Sequence, residues 1–439
     1  MVCIPAEGAS VEYPECSVSY SIDRFGAVND GVTKNTPAIQ RALDACADAG
    51  GGTVEIPAGT WRTGAFFLKS HTRLFLHPGS IVLGTGDKAD YVNPENERFL
   101  HALVNAYRAE NVSITGYGSI DGFGKIWQDE FRVWHAQHQG RGDALGIRKG
   151  RPLRPQLIRF EQCRDIRLLG FTAQNSAAWN IHLLMCEDVI ADGLRILNPE
   201  HSLNTDGLNP QSCRNVRITN CHISVGDDCI CMKAGLPDRH YGACENITVV
   251  NCTFGTGHGA IVFGNELNGM VRNLTVANCA CYGTYRGIRF KERRGLGGGV
   301  ENAVFSGFVM RDVAYPIVID MYNYDLEEDR NAHPVDESTP TIRNLIFSNI
   351  IATGAKKGPH FVGLPESPVS DVFLITSMIE SENGMICRDV DGMTCRSVQI
   401  RPKQGLPLLC ESTRNIDCDE LLPVAEGEVD AYTGKYMDT

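Results

Sequence analysis

The sequence predicts an all-β fold, a right-handed parallel β-helix in which short strands stack coil upon coil. The first observation is an Asn or Asp that recurs at intervals of 23 to 42 residues, each time followed by aliphatic or β-branched residues in alternation. The second is a set of cysteines in fixed register with it. Short strands in a repeat of about 20 to 30 residues indicate a solenoid, because one repeat cannot bury its apolar face alone.

The repeat can be followed along most of the chain. Its anchors are Asp165, Asp188, Asn215, Asn246, Asn273, Asn302, Asn344 and Asp371. Cysteines stand two residues before each of the first four anchors, and Cys221, Cys252 and Cys279 stand six residues after three of them. Residues at one phase of a β-helix form a column with a spacing of about 4.8 Å. We therefore expect ladders of hydrogen-bonded Asn and Asp side chains and ladders of buried cysteines.

One helix is predicted, at the start of the solenoid. In the segment TPAIQRALDACADAGGG, Thr36 is the expected N-cap, Pro37 the first helical residue and Gly50–Gly52 the end. An open end of a sheet must be covered, so this helix is expected to cap the first coil. The sequence thus predicts one β-helix domain, with an extension before it and a tail after it: residues 21–420, 1–20 and 421–439.

Composition limits the classes of partner. The net charge of −12 over 439 residues argues against nucleic acids and anionic membranes, and no run of about 18 apolar residues predicts a membrane helix. The first twenty residues contain three glutamates and no apolar stretch, unlike a secretory signal. Together with seventeen cysteines this predicts a cytoplasmic protein, or a secreted one if a leader has been removed. Cysteine spacings typical of zinc sites are missing, so no metal or other cofactor is expected, and the oligomeric state is left open.

An alignment of the coils brings candidate functional residues together. The expected inward column is Leu208, Ile230, Ile261 and Ile288. Two residues before it stand Asp206, Asp228, Gly259 and Arg286, and one residue further back stand Asp227 and His258. Arg289 and Lys291 follow Ile288 by one and three residues, so strand alternation turns them outward. Six residues spanning 86 positions are thus expected on one outer face: Asp206, Asp227, Asp228, His258, Arg289 and Lys291.

The three aspartates of this cluster suggest acid–base chemistry. Crowded carboxylates cannot all ionise cheaply, so at least one pKa among them is raised. One protonated and one ionised carboxyl group are what hydrolysis of a glycosidic bond requires, the first for the leaving oxygen and the second for water. A structural alternative exists for Asn204 and Asp206, since Asn and Asp suit the corners of a solenoid.

Four short motifs lie in the same coils: NTDG (204–207), GDD (226–228), GTGHG (255–259) and RFK (289–291). In this order on a β-helix they resemble glycoside hydrolase family 28, the polygalacturonases, and the resemblance extends over roughly residues 21–400. The family usually has Ile where this chain has Phe290. The change has little consequence, because that side chain alternates away from the charged pair.

The resemblance implies a role for each member of the cluster. Asp227 would be the general acid, Asp206 and Asp228 would together hold and deprotonate the attacking water, and His258 would support the protonation state of the acid. Arg289 and Lys291 would bind the sugar carboxylate, and the anomeric carbon would be inverted in a single displacement. Further substrate-binding residues are predicted at Arg286, Trp179, His182 and Asn204. For Trp179, packing within the solenoid is an equally good interpretation.

Two segments interrupt the repeat near the expected groove. Residues 122–156 are rich in aromatic and basic side chains, and we expect them to form a loop that closes one end of the groove, because long loops in compact proteins are usually functional. Residues 321–340 interrupt a later coil and are expected to border the site.

The predicted function is hydrolysis of α-1,4-galacturonosidic bonds in pectin-derived oligogalacturonides, with inversion and from the chain end, because a closed groove holds a terminus. Three alternatives remain open: hydrolysis of rhamnogalacturonan or xylogalacturonan on the same scaffold, pectate lyase chemistry with calcium and a basic residue, and a non-catalytic carbohydrate-binding β-helix such as an adhesin. Three groove carboxylates beside a histidine favour hydrolysis.

Overall fold

Stacked parallel strands form nearly all of the regular structure. The computed structural model describes residues 19–138, 150–235, 242–323, 329–418, 421 and 424–426. Within these ranges the strands form two sheets, a wide sheet of 21 strands and a narrow sheet of 13 strands, and the strands pair in parallel. The architecture is the right-handed parallel β-helix that the repeat predicts.

The wide sheet covers most of the circumference of the solenoid. Its strands are Ser19–Ser21, Gly52–Ile56, Gly59–Thr63, Thr72–Leu76, Ser80–Gly84, Glu110–Gly116, Ser119–Asp121, Arg164–Leu169, Thr172–Gln174, Glu187–Asp192, Arg195–Leu197, Arg214–Thr219, His222–Ser224, Cys244–Val250, Thr253–Phe254, Met270–Tyr282, Gly299–Arg311, Thr341–Lys357, Val369–Asn383, Val390–Pro402 and Arg414–Asp417.

The narrow sheet carries the outer face on which the candidate site was expected. Its strands are Phe66–Phe67, Val104–Tyr107, Ile158–Glu161, Ile181–Leu184, Leu208–Gln211, Ile230–Ala234, Ile261–Leu267, Arg286–Lys291, Tyr315–Asp320, His360–Val362, Met385–Arg388, Leu408–Glu411 and Val424–Glu426. Two α-helices, α1 (Thr36–Asp48) and α2 (Lys125–His138), and two short 3-10 helices, Ile22–Phe25 and Lys88–Tyr91, complete the described structure.

The predicted ladder of polar anchors is confirmed. Asn215 Nδ2 donates to Asp188 Oδ1 at 2.9 Å, and the side chains of Asn246, Asn273, Asn302 and Asn344 continue the ladder at 3.0 to 3.4 Å. All eight anchors have left-handed backbone, with φ between 50° and 59°. Asn and Asp tolerate this conformation better than other residues with a Cβ, which explains why the repeat uses them.

The interior is a single apolar core in which the predicted columns are found. Leu208 pairs with Ile230, Ile230 with Ile261, and Ile261 with Ile288 in register, so the expected inward column is correct. The fifteen cysteines in the described part of the chain are buried free thiols. Those in register with the anchors act as small apolar residues between the coils.

Helix α1 covers the first coil, as predicted, with its cap displaced by one residue. The N-cap is Asn35, not Thr36, and Pro37 lies in the first turn. Thr36 is drawn into the helix because its hydroxyl accepts a hydrogen bond from the Gly64 N–H at 2.7 Å. The helix ends at Asp48, and its buried face packs on the first strands.

Helix α2 lies inside the segment that the sequence predicts as a loop. Its side chains Trp127 and Phe131 are buried, and Gln128 forms three hydrogen bonds to the backbone of two later turns: to the carbonyls of Ala177 and Leu203 at 2.8 Å each, and from the Leu203 N–H at 2.9 Å. The solenoid repeat gave no sign of this helix, because the segment is an insertion between two strands. Residues 139–149 of the predicted loop lie outside the described residues.

Strands are found at both predicted domain boundaries. Ser19–Ser21 pairs with Gly52–Ile56 across the expected start at residue 21, and Val424–Glu426 extends the narrow sheet beyond residue 420. The domain division therefore stays a prediction, and residues 1–18 and 427–439 lie outside the described residues. Neither helix in the described ranges is long and apolar enough to cross a membrane.

Candidate active site

The candidate carboxylates lie on turns that lead from the wide sheet into the narrow sheet. The Gly207 N–H donates to the Asp228 carbonyl at 2.8 Å, and the Cys229 N–H donates to the Gly259 carbonyl at 2.8 Å. These bonds stack three successive turns in the register that the sequence predicts. The close packing also explains Gly226, because a Cβ there would lie 2.2 Å from the Ser202 carbonyl oxygen.

Asp227 and His258 meet at the more open side of this row. His258 Nδ1 lies 3.2 Å from Asp227 Oδ1, and the two side chains are 24% and 14% exposed. The Asp228 N–H also donates to Asp227 Oδ1, at 2.9 Å. Asp227 is thus the one of the three aspartates whose carboxyl reaches solvent, as a group that gives a proton to a bound substrate must.

Asp206 is buried, and the charges around it perturb its carboxyl group. Its Oδ2 accepts a hydrogen bond from Asn209 Nδ2 at 3.0 Å. Burial, reinforced by the negative charge of Asp227 and less strongly by that of Asp228, raises the pKa of Asp206 to about 8. The sequence predicts a raised pKa for at least one of the crowded carboxyl groups, and Asp206 is such a group.

Asp228 forms a buried ion pair. Lys291 Nζ lies 2.7 Å from Asp228 Oδ2, and both side chains are at most 5% exposed. The sequence assigns Lys291 to the sugar carboxylate alone, whereas its ammonium group is also held by a carboxylate of the site.

The two predicted arginines lie deeper than a groove surface. Arg289 is 1% exposed, and its Nη2 lies 3.5 Å from Asn323 Oδ1, which brings the start of the 321–340 segment to the site as expected. Arg286 is fully buried, its Nη1 donates to the His258 carbonyl at 3.4 Å, and its guanidinium group lies 4.8 Å from the Tyr285 ring. Both arginines are thus almost fully buried, and the substrate contact predicted for each stays a prediction.

Trp179 and His182 lie one coil before Asp206. The Trp179 ring is half-buried, and His182 packs edge-on against it with the ring centroids 4.9 Å apart. His182 is buried, and its two ring nitrogens lie 3.2 Å from Gln156 Oε1 and 2.9 Å from Gln211 Oε1. Burial lowers the pKa of His182, and a neutral imidazole has one N–H to donate to these two oxygens. The substrate contact predicted for His182 stays a prediction.

Asn204 lies where two arginines of the inserted segment reach the site. Its Oδ1 accepts from Arg154 Nη2 at 2.7 Å and from Arg151 Nη2 at 3.3 Å. Arg154 also donates to the Leu203 carbonyl at 2.8 Å and stacks over Phe131, with its guanidinium carbon 3.4 Å from the ring centroid. The amide oxygen predicted to contact substrate thus anchors this segment to the turn that carries Asp206.

Sequence reasoning missed both Arg154 and Lys233. Lys233 Nζ lies 2.8 Å from Glu266 Oε2, 3.9 Å from Asp206 Oδ2 and 4.8 Å from the Trp179 ring. Its signal was present, since alternation from Ile230 turns residue 233 outward like Lys291. No such signal exists for Arg154, because its segment has no register with the repeat.

Three ligand-type atoms of the site lie within 4.8 Å of one another, from Asp206, Asp228 and Cys231. The ammonium groups of Lys291 and Lys233 lie 2.7 Å and 3.9 Å from the two carboxylates. A divalent cation bound there would be repelled by both, so the electrostatics favour acid–base chemistry over a metal site.

Comparisons with known proteins show the family of the chain. The chain matches the family profile "Glycosyl hydrolases family 28" over residues 46–395. A probable polygalacturonase of Vitis vinifera is 30% identical over 402 residues, or 86% of this chain and 78% of the relative. An endo-polygalacturonase of Pectobacterium carotovorum subsp. carotovorum is 29% identical over 311 residues, or 67% of this chain and 74% of the relative. The crystal structure of a hyperthermoactive exopolygalacturonase from Thermotoga maritima has a TM-score of 0.74 and 26% identity, covering 89% of this chain and 93% of that one.

Proposed function

Because the chain belongs to family 28 of the glycosyl hydrolases, and is therefore a glycoside hydrolase acting on pectic substrates, we propose that it releases galacturonate from the ends of oligogalacturonides. The bond cleaved is the α-1,4-galacturonosidic bond, and the anomeric carbon is inverted. The single observation that carries end-specific action is the inserted segment, whose helix α2 and arginines are fixed to the turns beside the catalytic row.

The three aspartates divide the chemistry. Asp227, the most exposed of them, protonates the leaving oxygen, with His258 at 3.2 Å supporting its hydrogen bonding. Asp228 and Asp206 together hold the water on the other side of the bond, and the proton of the water goes to this pair. The burial of these two carboxyl groups supports this division, because a dry site strengthens each electrostatic interaction with the developing charge.

Recognition of the substrate carboxylate falls to Arg289 and Lys291. Both are cationic groups on the outer face of the strand Arg286–Lys291, and a uronate supplies the anion that such a pair binds. Lys291 joins this recognition to catalysis, because the same ammonium group contacts Asp228. A methyl-esterified sugar would lose the charge and bind poorly.

End-specific action is supported by where the inserted segment is attached. Gln128 of α2 and Arg154 both bond to the carbonyl of Leu203, three residues before Asp206. A groove that is blocked so close to the catalytic row accepts a chain end and not the middle of a polymer. Relatives with both endo and exo names are found, so this step depends on the attachment and not on the comparisons.

The test is a product profile on polygalacturonate, oligogalacturonides and rhamnogalacturonan. We expect monogalacturonate at early times with little fall in viscosity, and no products from rhamnogalacturonan. Mixed oligomers with a rapid fall in viscosity would contradict the end-specific mode, and products from rhamnogalacturonan alone would contradict the substrate. The cytoplasmic location stays a proposal, which cell fractionation would test.

A further inference from the structure

A partly buried ion pair lies beside Asp206 and has no part in the roles given above. Lys233 Nζ contacts Glu266 Oε2 at 2.8 Å and the Gly264 carbonyl at 3.1 Å. The Lys233 side chain is 5% exposed and that of Glu266 24% exposed. Although burial opposes it, the charge and hydrogen bond of Lys233 lower the pKa of Glu266. Both groups are thus charged, and neither reaches solvent as freely as a surface pair would.

The ammonium group of this pair faces Asp206. Lys233 Nζ lies 3.9 Å from Asp206 Oδ2, beyond hydrogen-bond distance but within direct electrostatic reach. The other groups that act on Asp206 are the Asp227 and Asp228 carboxylates of the next turn, the Asn209 amide of its own strand, Arg154 of the inserted segment and the thiols of Cys229 and Cys231. Among these groups, Lys233 is the cation with a counter-ion of its own.

The two buried carboxyl groups of the site therefore differ in their distance from the nearest lysine ammonium group. Asp228 has Lys291 in direct contact at 2.7 Å. Asp206 has Lys233 at 3.9 Å, drawn away by Glu266 at 2.8 Å. Removing Glu266 would free Lys233 to approach Asp206, whereas removing Lys233 would leave Asp206 facing further negative charge.

From this geometry we propose that Lys233 and Glu266 are positioning residues whose ion pair sets how firmly Asp206 holds its proton, and so leaves Asp228 as the carboxylate that takes the proton from water. The inference rests on the proposed function, because it assigns Asp228 as the ionised group that takes the proton from water. Asp206 then donates its proton in a hydrogen bond to the same water and keeps it in place. The proton count balances, since the proton from water goes to Asp228 and Asp227 gives its own proton to the leaving oxygen.

The test compares two substitutions that should act in opposite directions. Lys233→Met removes the ammonium group that lies 3.9 Å from Asp206. Without this positive charge, the midpoint of the Asp206 titration should rise by about one pH unit. In Glu266→Gln, Lys233 is released toward Asp206, so the titration should move down by about one pH unit. The double variant should lie between the two, and Lys233→Arg should stay near the wild type.

Carboxyl titrations followed by NMR supply the first measurement, with the Asp206 signal assigned by its absence in Asp206→Asn. The pH dependence of kcat supplies the second measurement. The limb of the profile that reports Asp206 should move in the same direction as the NMR titration. Lys34→Met is the matched control, because Lys34 contacts two carboxylates, Asp87 and Asp90, at the surface away from the groove.

The outcomes separate this inference from the proposed function. Opposite shifts of the Asp206 titration in the two variants would show that the ion pair sets the protonation of Asp206. This result would hold even if the natural substrate were a different pectic polymer. Shifts in the same direction, or none in either variant, would overturn it. If Lys233→Met does not fold, Glu266→Gln alone decides, because a structural role would lower its stability without moving the titration downward.

Discussion

Three aspartates within 23 residues of one another have three different surroundings, and at the scale of single residues this difference matters most. Asp227 is partly open and touches His258, Asp228 is ion-paired with Lys291, and Asp206 is buried beside Asn209. Their residue type is the same, so the division of roles comes from the neighbours that each turn supplies.

Replacement of the acid tests the first of these roles. In Asp227→Asn we expect kcat to fall by orders of magnitude while a non-cleaved oligomer binds nearly as well as before, because proton donation is needed mainly in the transition state. Turnover on trigalacturonate and calorimetric binding of a product oligomer measure the two effects. The exposed Asp48→Asn on helix α1 is the control, and a kcat within tenfold of the wild type would remove Asp227 from the acid role.

The raised pKa of Asp206 also predicts how stability depends on pH. The folded protein keeps a proton on Asp206 up to about pH 8, whereas an unfolded chain loses it near the ordinary value of about 3.9. The native state therefore binds more protons in this window, and stability falls as the pH rises through it.

Substitution isolates that contribution. Asp206→Asn imitates the protonated acid, so its unfolding midpoint in denaturant should exceed that of the wild type at pH 8.5 and approach it at pH 4. The difference between the two curves, and not either curve alone, reports Asp206. If the stability of the wild type rose relative to that of the variant as the pH increased, Asp206 would be ionised in the folded protein.

At the scale of single elements, the Asn ladder links local backbone strain to the stacking of coils. Asn246 donates to Asn215 and accepts from Asn273, at 3.1 and 3.2 Å, with a φ of 59°. Asn246→Ala removes both bonds and puts a Cβ without a polar group into the left-handed region. Together these should cost about 2–4 kcal/mol of unfolding free energy.

Glycine at the same position separates the two causes. Asn246→Gly loses the same hydrogen bonds but adopts the positive φ without strain, so it should be less destabilising than the alanine variant. Denaturant unfolding of both variants measures the difference. If glycine were as harmful as alanine, the ladder would owe its stability to hydrogen bonds alone.

What the sequence could predict at this scale follows from the repeat. Anchors such as Asn215 and column residues such as Ile230 fix the register, and from the register follow the positions of Asp206, Asp228 and His258. The repeat carries no information about an insertion, and for that reason α2 was expected as a loop. Contacts such as Lys291 with Asp228 also escaped prediction, because a long side chain can reach a neighbouring coil in several ways.

Whole-molecule behaviour depends on how the insertion sits on the solenoid. A β-helix alone offers an open groove along its narrow sheet, and such a groove suits cleavage within a polymer. Helix α2 is attached to two consecutive turns beside Asp206 through Gln128, while Arg132 donates to the His201 carbonyl at 2.9 Å. Substrate length selection is thus proposed to come from these four hydrogen bonds to backbone and not from the catalytic residues.

Loosening that attachment is therefore expected to change the mode of cleavage. Gln128→Ala removes its three hydrogen bonds to Ala177 and Leu203, so α2 should hold the end of the groove less firmly and internal bonds should become accessible. The measurement is the fall in polygalacturonate viscosity per reducing end released, a ratio that does not depend on overall turnover. We expect this ratio to rise at least severalfold over the wild type, while Lys125→Ala, whose side chain is 88% exposed on the same helix, leaves it unchanged. An unchanged ratio in a folded Gln128→Ala protein would mean that the helix does not close the groove, because a wall held by these bonds cannot lose them without admitting longer chains.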